Sequence, residues 1–186
     1  MRFAYSLGCS TYLLCLVGFR QHLIRNVNWK LSTFFVIYDW ILMEENQDIL
    51  IIEDSQATAN LISDYLKQLN YKEIHTYKDS KAGIKKFLEL SSSNRLPLVF
   101  LDYYLPETDT ISLFDQFLEI EPKTKIIIDS VAGKDEDGIN YLIQHGAYHY
   151  LQKPFSFENL KEMMNTFEKE QSTDLAKRWL ELNFQY

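Results

Sequence analysis

Between residues 49 and 169 the sequence alternates between two apolar patterns, and this alternation constrains the fold more than any other feature. Short continuous apolar runs, such as Ile49–Ile52 and residues 97–101, are typical of strands buried on both faces. The longer segments between them, such as residues 56–69, place apolar residues at the spacing of an amphipathic helix. Five strands alternating with five helices predict an α/β fold with a doubly wound, five-stranded parallel sheet.

The ends of several predicted elements can be read from single residues. Ser55 is expected to cap the first helix, and Gly146 is expected to end the fourth. The predicted strands are residues 49–52, 73–77, 97–101, 125–128 and 148–151, and the fifth helix is expected over residues 157–170. Residues 171–186 carry Leu175, Trp179 and Leu182 at helical spacing, which fits an extension of the fifth helix or a small partner-binding helix. A tail packed against the domain is the purely structural alternative.

Charge separates the first 42 residues from the rest of the chain. They hold four basic residues and one acidic residue, whereas residues 43–186 hold 15 basic and 25 acidic residues. Their two apolar runs fall well short of the roughly 20 residues that span a bilayer. We therefore predict a domain over residues 43–170, a helical tail over 171–186, and an N-terminal extension over 1–42. The simplest interpretation of that extension is a start codon assigned upstream of Met43, and a membrane-surface or partner-binding segment is the alternative.

Composition narrows the function classes. The formal net charge of −7 argues against nucleic acid as a direct partner, because neutralising phosphates requires clustered Lys and Arg. Cys9 and Cys15 are the two cysteines, and they form neither a disulfide framework nor a metal-site pattern. A cytoplasmic protein without a membrane partner is the expectation.

Polar residues follow four of the predicted strands. Glu53 and Asp54 follow the first strand, Asp102 the third, Ser130 the fourth and Lys153 the fifth. Because the carboxyl ends of parallel strands meet at one edge of a sheet, these side chains should converge. Carboxylate oxygens favour Mg²⁺, and a lysine with a hydroxyl suits an incoming phosphoryl group. Asp102 is then a candidate nucleophile.

Each of these residues has a purely structural interpretation when taken alone. A single acid at a strand end is usually a helix cap, a single lysine a surface charge, and a single serine a turn residue. Tyr150, on the last strand, is equally explained by packing. The joint placement at four strand ends is what favours a site. Asp129 lies at its edge, with no orientation predicted from the sequence.

Four segments together resemble the receiver domains of two-component response regulators. They are ILIIEDSQ, LVFLDYYLP, IIIDSV and GAYHYLQKPF, in the order and spacing of that family over about 120 residues. The resemblance implies a flavodoxin-like fold similar to stand-alone chemotaxis regulators. It also implies a cis Lys153–Pro154 bond.

The resemblance assigns roles to the candidate site residues. It implies that Asp102 is phosphorylated, that Asp54 binds Mg²⁺ directly, and that Glu53 holds the ion mainly through water. The backbone carbonyl of Tyr104 is the remaining implied metal ligand, and Lys153 is expected to contact a phosphoryl oxygen.

A switch is implied as well. Ser130 is expected to move toward the phosphoryl group, after which Tyr150 turns inward. This remodels the face made by the fourth helix, the fifth strand and the fifth helix. That face is the candidate surface for a phosphorylation-dependent homodimer.

The sequence departs from the family pattern at several positions. Glu53–Asp54 replaces an Asp–Asp pair, Thr110 stands where glycine is common, and Val131 stands where alanine is common. Tyr104 and Val131 are bulky enough to narrow access to Asp102. Slow loss of phosphate is the resulting prediction.

The leading function is therefore a single-domain response regulator that receives phosphate from a histidine kinase or a histidine phosphotransfer protein. It would signal by binding a downstream protein, and it would be no enzyme beyond assisting its own phosphorylation and dephosphorylation. A non-phosphorylated scaffold or adaptor of the same fold is the first alternative. A phosphatase or hydrolase with Tyr104 as acid is a weaker one, and no nucleotide-binding glycine motif is present in the sequence.

Overall fold

A computed structural model describes residues 47–93, 95–106, 108–131, 133 and 136–183. The predicted extension and the proposed start at Met43 lie outside these residues. Five parallel strands form one sheet in the order β2-β1-β3-β4-β5. The strands are β1 Ile49–Ile52, β2 Ile74–Tyr77, β3 Leu98–Asp102, β4 Ile126–Ser130 and β5 His149–Gln152. The predicted five-stranded parallel sheet is confirmed.

Five helices connect and follow the strands, as predicted. They are α1 Gln56–Gln68, α2 Ser80–Ser92, α3 Thr110–Ile120, α4 Asp137–Gln144 and α5 Phe157–Asn183. Ser55 caps α1 by accepting a hydrogen bond from the Thr58 amide, and Gly146 follows α4 with a φ of 105°, a conformation that favours glycine. Both predicted helix boundaries are confirmed. No described helix is long and apolar enough to cross a bilayer.

The sheet separates two apolar layers because side chains alternate along each strand. Ile49 and Ile51 face the layer that contains the buried residues of α1 and α5, and Leu50 and Ile52 face the layer built on α2, α3 and α4. All four β1 side chains are therefore fully buried. This two-sided burial is why β1 reads as an unbroken apolar run rather than as an alternating one.

The same alternation decides which way the residues at the strand ends point. Phe100 of β3 and Ile127 of β4 lie in the α1/α5 layer, so Asp102 and Asp129, two positions further on, share that side of the sheet. Ile128 and Tyr150 lie in the opposite layer, which places Ser130 on that side.

Two helices run past the ends that the apolar pattern indicates: α2 passes Ser91, where a polar loop was expected, and α5 passes Glu170 into the predicted tail. α2 continues to Ser92, where Ser92 and Ser93 donate hydrogen bonds to the backbone carbonyl of Glu89 and so satisfy an end group of the helix. α5 continues without interruption through the predicted tail to Asn183, because residues 171–183 contain neither Gly nor Pro and include several strong helix formers. The side chains of Leu175, Trp179 and Leu182 lie outside the described residues.

We expect Phe87→Ala to lower the free energy of unfolding by about 3–5 kcal/mol, the usual loss when a buried phenylalanine is truncated. The Phe87 side chain is fully buried and packs edge-on against Phe117, with ring centroids 4.8 Å apart. Urea unfolding monitored by circular dichroism measures the change. Leu88→Ala, one position along the same helix with a half-exposed side chain, is the matched control and should cost under about 1 kcal/mol. Equal losses in the two variants would contradict this packing.

Candidate functional site

The Lys153 ammonium group joins residues from the ends of four strands. Its Nζ lies 2.6 Å from Glu53 Oε2, 3.0 Å from Asp102 Oδ1 and 2.9 Å from Asp129 Oδ2. The side chain thus extends from the end of β5 across β4 and β3 to the acid that follows β1. The structure therefore brings together three residues that the sequence predicted to converge, and it adds Asp129 to them.

The three carboxylates are buried and close together. Glu53 is 1%, Asp102 5% and Asp129 0% exposed, and one oxygen of each lies within 4.8 Å of the others. A single ammonium charge faces these three acids among the described residues. Carboxylates in this setting are destabilised in their charged form, both by loss of hydration and by mutual repulsion.

The ionisation of the site reflects this imbalance. Burial raises the pKa of Asp129 to about 7, against the opposing effect of Lys153. Burial also raises the pKa of Glu53, even though Lys153 and the Ser55 amide donate hydrogen bonds to it. Burial alone would lower the pKa of Lys153, but the charge of Asp129 and the hydrogen bonds to the acids raise it. Lys153 is therefore held in its charged form.

Asp129 was the residue whose orientation the sequence did not predict. β4 was expected to end at Ile128, which would have left Asp129 in a loop. Instead β4 continues to Ser130, and Asp129 pairs in register with Asp102 on the neighbouring strand. Because paired positions of parallel strands face the same side, Asp129 points toward Asp102 and Lys153.

Glu53 and Asp54 occupy different environments after β1. Glu53 is fixed inside the site, since its Oε1 accepts a hydrogen bond of 2.9 Å from the Ser55 amide while Oε2 contacts Lys153. Asp54 is exposed and does not belong to the group of three acids. The division of metal-binding roles between the two residues stays a prediction.

Ser130 and Tyr150 lie on the other side of the sheet. Ser130 is fully buried at the end of β4, and Tyr150 is 7% exposed and packed in the α2/α3/α4 layer. The tyrosine ring thus already occupies an inward position in this structure. The movement expected of the two residues stays a prediction. The Lys153–Pro154 bond is cis, as the resemblance implied.

The loop after β3 is tied to neighbouring elements by its side chains. Thr110, at the position where glycine is common, is buried and donates a 2.8 Å hydrogen bond to the Tyr103 carbonyl. The Tyr104 hydroxyl donates to the Glu136 carboxylate, at 3.0 Å from Oε2, and this contact reaches the N-cap residue of α4. Val131 is 66% exposed, whereas the Tyr104 hydroxyl reaches across the loops to Glu136.

The arrangement fits a divalent cation. All three buried ligand groups are carboxylates, which are the hard oxygen donors that Mg²⁺ and similar ions prefer. Among the described residues, three buried acids face one partly buried lysine, and a divalent cation would offset the excess of negative charge. Beside this acidic group, a charged lysine 3.0 Å from an Asp102 oxygen is placed to stabilise negative charge that develops there.

Comparison with known proteins agrees with this geometry. The family model described as response regulator receiver domain matches residues 49–165. A probable chemotaxis protein CheY of Rhizobium etli is 33% identical over 119 residues, which cover 63% of this chain and 88% of the relative. The matched region contains every element from β1 into α5.

Other similar proteins differ in length. The transcriptional regulatory protein MalR of Bacillus subtilis is 25% identical over 124 residues, covering 67% of this chain, and the chain spans about half (51%) of MalR. Among solved structures, the beryllofluoride-activated NtrC4 receiver domain dimer is 28% identical with a TM-score of 0.57, and the match covers 66% of this chain and 97% of that one.

We expect Asp129 to contribute a loss of stability in the cation-free protein as pH rises from about 4 to about 7. Asp129 has a folded-state pKa of about 7, above its usual value of 3.8, so the folded state keeps a proton that the unfolded state has released in this window. In Asp129→Asn this contribution disappears, and less stability should be lost between about pH 5 and pH 7.5.

Urea unfolding with a chelator present measures this difference. Asp64→Asn is the control, since it makes the same chemical change on an exposed residue and should keep the wild-type pH dependence. An unchanged pH dependence in Asp129→Asn would show that Asp129 does not take up the proton.

Proposed function

Because the chain belongs to the response regulator receiver domain family, we propose that it accepts a phosphoryl group on Asp102 with Mg²⁺ and signals by binding another protein. The proposal rests on the side chain of Lys153, which extends across the sheet and donates hydrogen bonds to both Asp102 and Glu53. A scaffold of the same fold has no need for a charged, partly buried lysine among three buried acids, since charged groups are costly to desolvate.

The proposed reaction is the transfer of a phosphoryl group from phosphohistidine to an Asp102 oxygen. The N–P bond of the donor breaks, the imidazole nitrogen keeps the electron pair, and an O–P bond forms at Asp102. Lys153 would then contact a phosphoryl oxygen, and Ser130 would donate its hydroxyl hydrogen to another. Mg²⁺, when bound, neutralises negative charge on the phosphoryl oxygens. Glu53, Asp102, Asp54 and the Tyr104 carbonyl are the groups proposed to hold it.

The chemistry of the donor and the family define the proposed partners. A histidine kinase or a histidine phosphotransfer protein would supply the phosphoryl group, and a downstream protein would read the phosphorylated form. The NtrC4 receiver relative is a dimer in its activated form. This supports phosphorylation-dependent self-association, for which we propose the face made by α4, β5 and α5. No catalysis beyond the receiver's own phosphorylation and dephosphorylation is proposed.

We expect acetyl phosphate or beryllofluoride with Mg²⁺ to modify the wild-type protein and not Asp102→Asn. Intact mass measures the covalent product, and tyrosine fluorescence measures the beryllofluoride response, since Tyr103 and Tyr104 directly follow Asp102 and contact each other edge-on. Asp115→Asn, a change outside the site, is the control and should respond like the wild type. A wild-type protein that ignores beryllofluoride at saturating Mg²⁺ would favour the scaffold function instead.

We also expect the phosphorylated protein to lose phosphate slowly, and Tyr104→Ala to speed the loss severalfold. Tyr104 lies two residues after Asp102, and its hydroxyl donates to Glu136, which holds the ring between the loop after β3 and the start of α4. We expect the ring to hinder the approach of water to Asp102. Phosphate release after removal of the donor gives the rate. Glu136→Gln keeps the ring but weakens a charge-assisted hydrogen bond, so its effect should be smaller. Equal rates in the wild type and Tyr104→Ala would contradict the role given to the ring.

A further inference from the structure

Asp129 is a buried acid outside the ligand set that the sequence predicted. It is 0% exposed, lies on the same side of the sheet as Asp102, and is aimed into the group formed by Glu53 and Asp102. Neither of its carboxylate oxygens has a hydrogen-bond partner among the described residues, although Oδ2 forms an ion pair with Lys153 at 2.9 Å. Buried carboxylates without donors are costly, and a bound cation is one way to compensate them.

Asp48 shows how the same fold satisfies a buried acid that has a structural role. It lies at the opposite end of β1 and is 2% exposed. Arg95 contacts it twice, at 2.7 Å from Nε to Oδ2 and 2.8 Å from a terminal nitrogen to Oδ1, and His75 lies 2.9 Å from Oδ1. Both Asp48 oxygens are therefore saturated by protein groups, whereas those of Asp129 are not.

The spacing around Lys153 suits a cation coordinated by all three acids. Its Nζ lies 2.6–3.0 Å from one oxygen of each acid, and the three acids can each offer an oxygen within 4.8 Å of the others. A divalent ion with bonds of roughly 2.0–2.6 Å joins oxygens that are up to roughly 5 Å apart. A second positive charge is also what the site lacks, because one ammonium group faces three buried carboxylates in the described part of the chain.

We propose that Asp129 is a further residue of the cation site and holds a divalent cation together with Glu53 and Asp102. Lys153 leaves its central position when the ion enters, and remains near Asp102 to contact the phosphoryl group. The inference rests on the proposed function, since it adds a residue to the Mg²⁺ site of that function. We therefore expect this site to bind Mg²⁺ with higher affinity than a site with an apolar residue at position 129.

Direct titration of the full-length protein with Mg²⁺, followed by calorimetry or tyrosine fluorescence, tests the proposal without phosphorylation. We expect Asp129→Asn to weaken Mg²⁺ binding by about tenfold or more. The attraction between the ion and a unit charge about 4 Å away in a protein interior is larger than the free energy of a tenfold change in affinity. Glu53→Gln is the positive reference and should weaken binding to a similar degree. Asp64→Asn keeps the same net charge as Asp129→Asn and should bind Mg²⁺ like the wild type.

Stability toward heat provides a second measurement on the same proteins. Saturating Mg²⁺ should raise the melting temperature of the wild type more than that of Asp129→Asn, since a ligand that binds the folded state stabilises it by mass action. Asp129→Asn removes one of three acidic charges that face a single lysine, and should fold. If it does not, Asp129→Leu removes the same charge with a side chain that suits a buried strand position, and the same titration applies.

The outcomes separate this inference from the proposed function. Wild-type affinity in Asp129→Asn, together with weakened binding in Glu53→Gln, would overturn the inference and leave the phosphoacceptor function standing. Absence of saturable Mg²⁺ binding in the wild type would overturn both. Weakened binding in Asp129→Asn and Glu53→Gln, with Asp64→Asn unchanged, supports Asp129 as a cation-binding residue.

Discussion

The reach of Lys153 across the sheet is the interaction on which the site depends. One ammonium group, extended from the end of β5, contacts acids that come from the ends of β1, β3 and β4. Each partner alone would be a buried carboxylate without compensation, which a protein interior does not tolerate well. The lysine therefore fixes the mutual positions of the strand ends in addition to its place in the proposed chemistry.

Most of the fold was predictable because the apolar pattern is strong and local. β1 and β3 are unbroken apolar runs, and such runs have few alternatives when amphipathic helices separate them. The ends of α2 and α5 were not predictable, since the serines after Leu90 and the residues beyond Glu170 are compatible with either helix or loop. Tertiary contacts and hydrogen bonds to carbonyl groups, which are invisible in a sequence, decide such boundaries.

The residues of the candidate site were likewise predictable only in part. Convergence of Glu53, Asp102 and Lys153 follows from the rule that parallel strands end at one edge, so the sequence predicted it. The position of Asp129 depends on one more residue of β4 being in the strand, and a boundary error of one or two residues is enough to hide it. Alternation along IIIDS was the available signal, because a strand that buries Ile127 on one side must point Asp129 to that side.

The two ends of α5 differ in how firmly their side chains are packed against the sheet. Its first part is anchored by Leu160, Met163, Met164 and Phe167, all of which are buried against the sheet. Beyond Glu168, the described side chains up to Lys177 include none that is buried. Amide hydrogens in the first part can exchange with solvent only when the sheet packing opens, whereas those near residues 172–177 require no more than fraying of the helix. Amide hydrogen exchange should therefore become faster from the first part of α5 toward residues 172–177, although the backbone is helical throughout.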